Sequence, residues 1–270
     1  MLALNYYTYR LGQNKQGHLE EDPRLSTLDK SWFEENRGLD IGCNSGEFTI
    51  TIAKRLAPRY LLGVDVDPLL ISLARGHLKD ILRQENMEKP GREMPTLDPT
   101  TARCRDQEAE SVPDMSKEGG SCDKVEEEEI TTHHTVRLET SDTGASAPDM
   151  ALLTKGKGTV PRAIGKTCVG VTKWIHLFHG DEGIKKVFAK IYELLTPGGR
   201  FILEPQPWKS YHKRKFTSEI TAANYSKIQL RPKDFPKYLI DTIGFRSCDF
   251  LEVCRTSSRG FRRPVYVAQK

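Results

Sequence analysis

Between residues 38 and 46 the chain reads Gly-Leu-Asp-Ile-Gly-Cys-Asn-Ser-Gly, a short apolar strand pattern that empties into a glycine turn. A helical pattern, Glu47 to Leu56, follows at once. Glycines at 42 and 46 let the backbone turn sharply and approach a ligand where a Cβ would collide, and the helix that follows offers free N–H groups. The next apolar run, Tyr60 to Asp65, ends in an acid 23 residues after Gly42. In a βαβ unit such an acid sits beside the first turn and can accept hydrogen bonds from both hydroxyls of a ribose. The turn lacks the G-x-G-x-x-G of a pyrophosphate cradle, so the expected ligand is a nucleoside without a phosphate chain.

The elements that must position these groups are legible on both sides. Pro68 opens a helix with apolar residues at Leu69, Leu70, Leu73, Leu78, Ile81 and Leu82, the pattern of a crossover packed on a sheet. Far downstream, a Leu195-Thr-Pro-Gly-Gly199 turn precedes a strand pattern from Arg200 to Glu204. Taken in order, the glycine turn, the acid and this second turn resemble class I S-adenosylmethionine-dependent methyltransferases. That resemblance implies an α/β, Rossmann-like fold whose seven strands run in the order 3-2-1-4-5-7-6, with S-adenosylmethionine as cofactor.

At 270 residues, 37% hydrophobic and 29% charged, the chain can bury one α/β core. Its longest apolar stretch, Tyr60 to Ala74, is broken by Asp65 and Asp67, so a membrane span is not expected. The first ten residues lack the order of a signal peptide. Six cysteines without a C-x-x-C pair predict no zinc site and a reducing, intracellular setting. The net charge of +4 conceals a division. Residues 84–165 hold 10 Lys/Arg against 17 Asp/Glu, whereas Trp208 to Lys270 holds 14 against 5. Such a basic segment, interleaved with Tyr211, Phe216, Tyr225, Phe261 and Tyr266, suits a polyanion such as nucleic acid. The 84–165 stretch is rich in proline and acid and poor in large apolar residues, which predicts a mostly disordered insert with one short strand at Thr135–Glu139. The expected organisation is therefore two halves of one domain, 1–83 and 166–270, around an insert at 84–165.

Three further runs are more specific. They are Thr172-Lys-Trp-Ile-His-Leu-Phe-His-Gly-Asp-Glu-Gly183, Leu203-Glu-Pro-Gln-Pro-Trp208 and Ser257-Ser-Arg-Gly-Phe-Arg-Arg-Pro-Val-Tyr266. With Tyr6-Tyr-Thr-Tyr-Arg10 and Arg24-Leu25, they resemble the bicoid-interacting-protein-3 family of RNA methyltransferases, and within it the branch that acts on a small nuclear RNA of the 7SK type. The resemblance implies methyl transfer to the 5′ γ-phosphate of that RNA, a nuclear location, a La-related protein partner and a monomeric catalytic unit. It also implies cofactor contacts at Tyr6, Arg24, Gly42, Cys43, Asn44, Asp65, Val66 and Val169. Arg10, Lys173 and His176 would hold the phosphates, with Lys213, Arg214 and Lys215 as an outer track. A terminal phosphate is already ionised near neutral pH, so no general base is needed.

The likeness stops in the middle of the chain. Thr159 to Val171, where the family's central fourth strand belongs, contains Pro161, Arg162, Gly165, Lys166 and Gly170, and only Cys168–Val171 reads as strand. Two accounts follow: a form with a replaced central segment, the favoured one, or a divergent member that completes its sheet with 134–140 and 168–171. Two other functions stay open, a catalytically impaired RNA-binding scaffold of a ribonucleoprotein and a methyltransferase of 5′-monophosphate RNA.

Overall fold

In the computed structural model, residues 6–11, 22–88, 128–131, 134–140, 164–169, 171–253 and 259–270 are described. The helices are α1 (Tyr6–Leu11), α2 (Lys30–Phe33), α3 (Glu47–Leu56), α4 (Pro68–Glu88), α5 (Thr172–Leu194), α6 (Trp208–His212), α7 (Glu219–Lys227) and α8 (Phe235–Tyr238). The strands are β1 (Arg37–Ile41), β2 (Tyr60–Asp65), β3 (Glu128–Thr131), β4 (His134–Thr140), β5 (Ile164–Val169), β6 (Leu195–Leu203), β7 (Ser247–Val253) and β8 (Pro264–Gln269). They form one sheet in the order β3-β4-β2-β1-β5-β6-β8-β7. Strands β4, β2, β1, β5 and β6 are mutually parallel, and β8 runs antiparallel to both β6 and β7. With β3 set aside as an antiparallel edge addition to β4, this is the class I methyltransferase order 3-2-1-4-5-7-6.

Alternate residues of the parallel strands feed two cores, which is why these strands read as nearly continuous apolar runs. Leu61 and Ile202 face a cluster with Phe33, Phe48, Ile52, Ile71 and Leu78 of the helices on one side. Leu39, Ile41, Leu62, Val64, Phe201 and Leu203 face Ile184, Phe188, Ile191 and Phe235 on the other.

The middle of the chain differs from expectation. The strand expected at Thr135–Glu139 is present as β4, which pairs with β2 from Thr135 to Thr140; what was not expected is β3 beside it and the continuation of α4 to Glu88. Most of that insert, 89–127, 132–133 and 141–163, lies outside the described residues. The fourth strand is Ile164–Val169 rather than 168–171, and it pairs with β1 on one side and β6 on the other. A ladder is made by backbone N–H and C=O groups, so Gly165 and Lys166 do not exclude it. The chain thus completes its own sheet, with 134–140 as the second account has it and 164–169 in place of 168–171.

Gly42 (φ 80°) and Gly46 (φ 78°) both adopt left-handed backbone, with Asn44 (φ 56°) between them. The space beside each glycine is filled by protein and not reserved for a ligand: a Cβ on Gly42 would collide with the side chain of Val171, and one on Gly46 would come within 2.9 Å of Ala74 Cβ. Gly42→Ala should therefore cost roughly 1–3 kcal/mol of backbone strain and about 1–3 kcal/mol of overpacking. In urea denaturation, the double variant Gly42→Ala/Val171→Ala should recover only the overpacking share.

Candidate active site

Strand order reverses at β1, which lies between β2 and β5, and in open α/β sheets the ligand crevice lies outside the carboxyl ends of the strands at that point. Gly42 and Cys43 both donate their N–H groups to the Val64 carbonyl, at 2.7 and 3.1 Å, which pins the glycine turn to the end of β2. Asp65 lies beside that turn. Its Oδ2 accepts the Asn44 N–H at 2.9 Å and its Oδ1 accepts the Asp67 N–H at 3.1 Å. Burial raises its pKa, and the N–H groups of Asp67 and Asn44 oppose the shift. Immediately after it, Val66 and Leu69 are 45% and 54% exposed. A carboxylate held by backbone donors, next to bare apolar surface, matches the ribose and adenine of a nucleoside. The residues thus fit S-adenosylmethionine, the cofactor of this fold.

The other expected cofactor residues fall into different environments. Asn44 uses its side-chain Oδ1 to accept the Ser45 N–H at 2.8 Å. Cys43 is buried and burial pushes its thiol pKa up, so only its backbone can meet a ligand. Val169 pairs through its backbone with Ile41 and Leu203. Tyr6 is half-buried, and its hydroxyl accepts from Arg10 Nη1 at 3.0 Å. Asp40, on β1, was not among the expected residues. It is buried with Thr49 Oγ1 donating to it at 2.6 Å, and burial lifts its pKa to about 6. An acid in the midst of an apolar strand was the available signal.

On one side of the crevice a buried ion network joins three distant segments. Arg10 bonds Glu204 through both terminal nitrogens, at 3.2 and 2.9 Å, and its Nε lies 2.8 Å from Asp22 Oδ2. Arg24 bonds Asp22 through Nε and Nη2, at 3.0 and 2.7 Å, and reaches Glu204 at 3.3 Å. Arg24 also lies 3.7 Å over the Phe48 ring. Burial alone would raise the Asp22 pKa, but Arg24 and then Arg10 outweigh it and bring it down to about 2. Arg10 has no exposed surface. Its charge is spent on two carboxylates, so it positions other groups and does not hold an RNA phosphate as expected.

Close to it, beyond Glu204, stands a basic wall. Gln206 Oε1 accepts the Lys173 N–H at 3.1 Å and caps the start of α5. Lys173 is buried, and its Nζ donates to the neutral Ser210 Oγ at 3.0 Å. Burial, with Arg263 and Arg214 nearby, brings its pKa down to about 8. His176 is the second correction: it is wholly buried, with Nε2 2.8 Å from Asp181 Oδ1 and Nδ1 3.4 Å from the Tyr211 hydroxyl. Asp181 also accepts the N–H groups of Gln229 and Leu230, so His176 locks the segment after α7 onto α5 and cannot hold phosphate. Lys213 is exposed and Arg214 half-buried, while Lys215 lies over the rings of Phe216 and Tyr225. Glu204, Gln206, Ser210 and Arg263 were missed, although all four lie in or beside the motif runs.

A probable RNA methyltransferase of Arabidopsis thaliana is 38% identical over 269 residues, which span 98% of this chain and 79% of that protein. The chain belongs to the bicoid-interacting protein 3 family. Residues 166–270 match the family model described as bicoid-interacting protein 3 (Bin3). The U6 snRNA methylphosphate capping enzyme Amus of Drosophila melanogaster is 30% identical over 98% of this chain and 73% of its own length. The 7SK snRNA methylphosphate capping enzyme of Mus musculus is 34% identical over 93% of this chain, which spans 38% of that longer protein. Among the described residues of this family member, no helix is long and apolar enough to cross a membrane and no cluster of His, Cys, Asp or Glu forms a metal site.

Two measurements follow from the site. Glu204→Gln leaves Arg10 and Arg24 short of buried counter-charge and should cost about 3–5 kcal/mol in chemical denaturation. Asp22, whose folded pKa of about 2 is below its unfolded value, contributes stability above roughly pH 4 that is lost as pH falls toward 2. Acid-denaturation curves should show that loss, and Asp22→Asn should flatten it.

Proposed function

We propose that this chain transfers a methyl group from S-adenosylmethionine to a terminal phosphate oxygen at the 5′ end of an RNA, in the manner named for its snRNA-capping relatives. The observation that carries the reading is Lys173, a buried ammonium held by a neutral hydroxyl with Arg263 and Arg214 as its charged neighbours. A wall of that sign facing the cofactor crevice calls for an anionic acceptor. Val171, packed against Gly42, ties this wall to the cofactor turn.

Bound in the crevice, the cofactor supplies a methyl group activated on a sulfonium. Asp65 orients its ribose, the Val66 surface receives its base, and Asp40 and the Glu204 network hold the turn and the N-terminal segment in place. On the acceptor side Lys173, oriented by Ser210 and by the Gln206 cap, draws in a phosphate that needs no deprotonation to react. Catalysis then consists of alignment in a pocket that excludes water. A 7SK-type γ-phosphate, nuclear residence, a La-related partner and action as a monomer complete the proposal.

Labelled S-adenosylmethionine and 5′-triphosphate 7SK stem RNA test it. Label should appear in a form released with the γ-phosphate. A folded protein that binds RNA but no cofactor, and labels neither triphosphate nor monophosphate RNA, would leave the scaffold reading in its place, and label on monophosphate RNA alone would assign the other methyltransferase branch. Lys173→Ala should lower kcat/KM for the RNA by roughly 10–100-fold, the worth of one charge-assisted hydrogen bond. Because the protonated amine is the binding form, kcat/KM should fall as pH rises through about 8. In Lys173→Arg, which stays charged, that alkaline limb should disappear.

A further inference from the structure

Four buried cations, Arg10, Arg24, Lys173 and Arg263, share this region with two buried carboxylates, Asp22 and Glu204. The carboxylates are engaged by Arg10 and Arg24. Among the described residues Arg263 has no such partner. It is 7% exposed, its guanidinium lies 4.7 Å from the Phe261 ring centroid, and its Nε and Nη1 find no hydrogen-bond acceptor among the described residues. It lies close enough to Lys173, and to Glu204, Tyr6, Arg10 and Arg24, to interact with them electrostatically, so it borders both the basic wall and the ion network. A guanidinium remains charged at any physiological pH, and leaving it buried with idle donors is unfavourable unless a ligand completes them.

We infer that Arg263 is the residue that reads the phosphate chain of the RNA 5′ end, favouring a polyphosphate over a single phosphate. The inference rests on the function proposed above. Nε–H and Nη1–H leave a guanidinium on opposite sides, so two oxygens of one small anion cannot meet both. Oxygens on successive phosphoryl groups can. Lys173, charged and nearby, is placed to hold the end of the same chain, and Arg214 to meet it toward solvent.

Inorganic tripolyphosphate and orthophosphate are the probes, titrated calorimetrically into the full chain and into Arg263→Lys and Arg263→Gln, with S-adenosylmethionine titrated in parallel. The wild-type chain should bind tripolyphosphate at least about tenfold more tightly than orthophosphate, and both variants should lose most of that preference, since lysine keeps the charge but not the opposed donors. Cofactor affinity should stay within about twofold, which also reports that the variants are folded. Unchanged tripolyphosphate affinity in a cofactor-binding variant would overturn the inference. So would loss of cofactor affinity with the tripolyphosphate preference intact, which would make Arg263 a holder of the cofactor's carboxylate. If the variants do not fold, protection of the wild-type chain against melting by tripolyphosphate and not by orthophosphate supports the inference, and equal protection overturns it. The two readings fail separately: Arg263-dependent tripolyphosphate binding without methyl transfer refutes the proposed function alone, and methyl transfer with an unchanged RNA KM in Arg263→Lys refutes this inference alone.

Discussion

Glu204 is the point on which the site depends. It follows β6, an interior strand of the sheet, directly and is buried with two arginines from the first 24 residues. An ionised group in that position is costly unless its partners are present and well aligned. Arg10 meets it with two nitrogens and Arg24 with a third, and Asp22 balances the remaining positive charge. This closure holds α1 against the carboxyl end of β6, although residues 10 and 204 are 194 positions apart. Tyr7, from the same helix, accepts the Phe48 N–H at 3.2 Å and so fixes α1 to the start of α3.

The two sides of the crevice are built on opposite electrostatic plans. Toward the cofactor, carboxylates are either matched by arginine, as Asp22 is, or held by backbone N–H groups and a hydroxyl, as Asp65 and Asp40 are. Toward the acceptor, the cations Lys173 and Arg263 meet a neutral hydroxyl, an aromatic ring and each other. The first arrangement stabilises the folded chain without a ligand. The second leaves repulsion between buried cations uncompensated in the folded chain, the kind of local cost that binding sites carry.

The cofactor half was legible because its chemistry is local. A strand, a glycine turn, a helix and an acid at a fixed distance occupy 28 consecutive residues, and the structure places Asp65 where that spacing requires. The acceptor half was harder to read because its partners come from far apart. Nothing near Arg10 reveals that Glu204 will consume its charge, and His176 resembles a ligand until Asp181 folds back onto it. Arg263 was hidden in a basic run whose members differ in burial alone, and Arg262 beside it is exposed. The fourth strand was underestimated because its pairing partners on both sides were invisible in its own composition.

The return of Asp181 onto His176 has a geometric origin in α5. Gly180 departs from helical backbone, with φ 64° and ψ −164°, and divides the element into a first part bearing Lys173 and a second part packed in the core through Ile184, Val187, Phe188 and Ile191. An uninterrupted helix would lock the azimuth of Lys173 to that of Phe188 at about 100° per residue. The break frees the two parts to be aimed independently. Asn224 then stitches the first part in place by donating to the carbonyls of Leu177 and Phe178. Within this one element the break at Gly180 sets the direction of the first part relative to the second, while the His176–Asp181 bond and the packing of Ile175 in the same core hold the two in that relation.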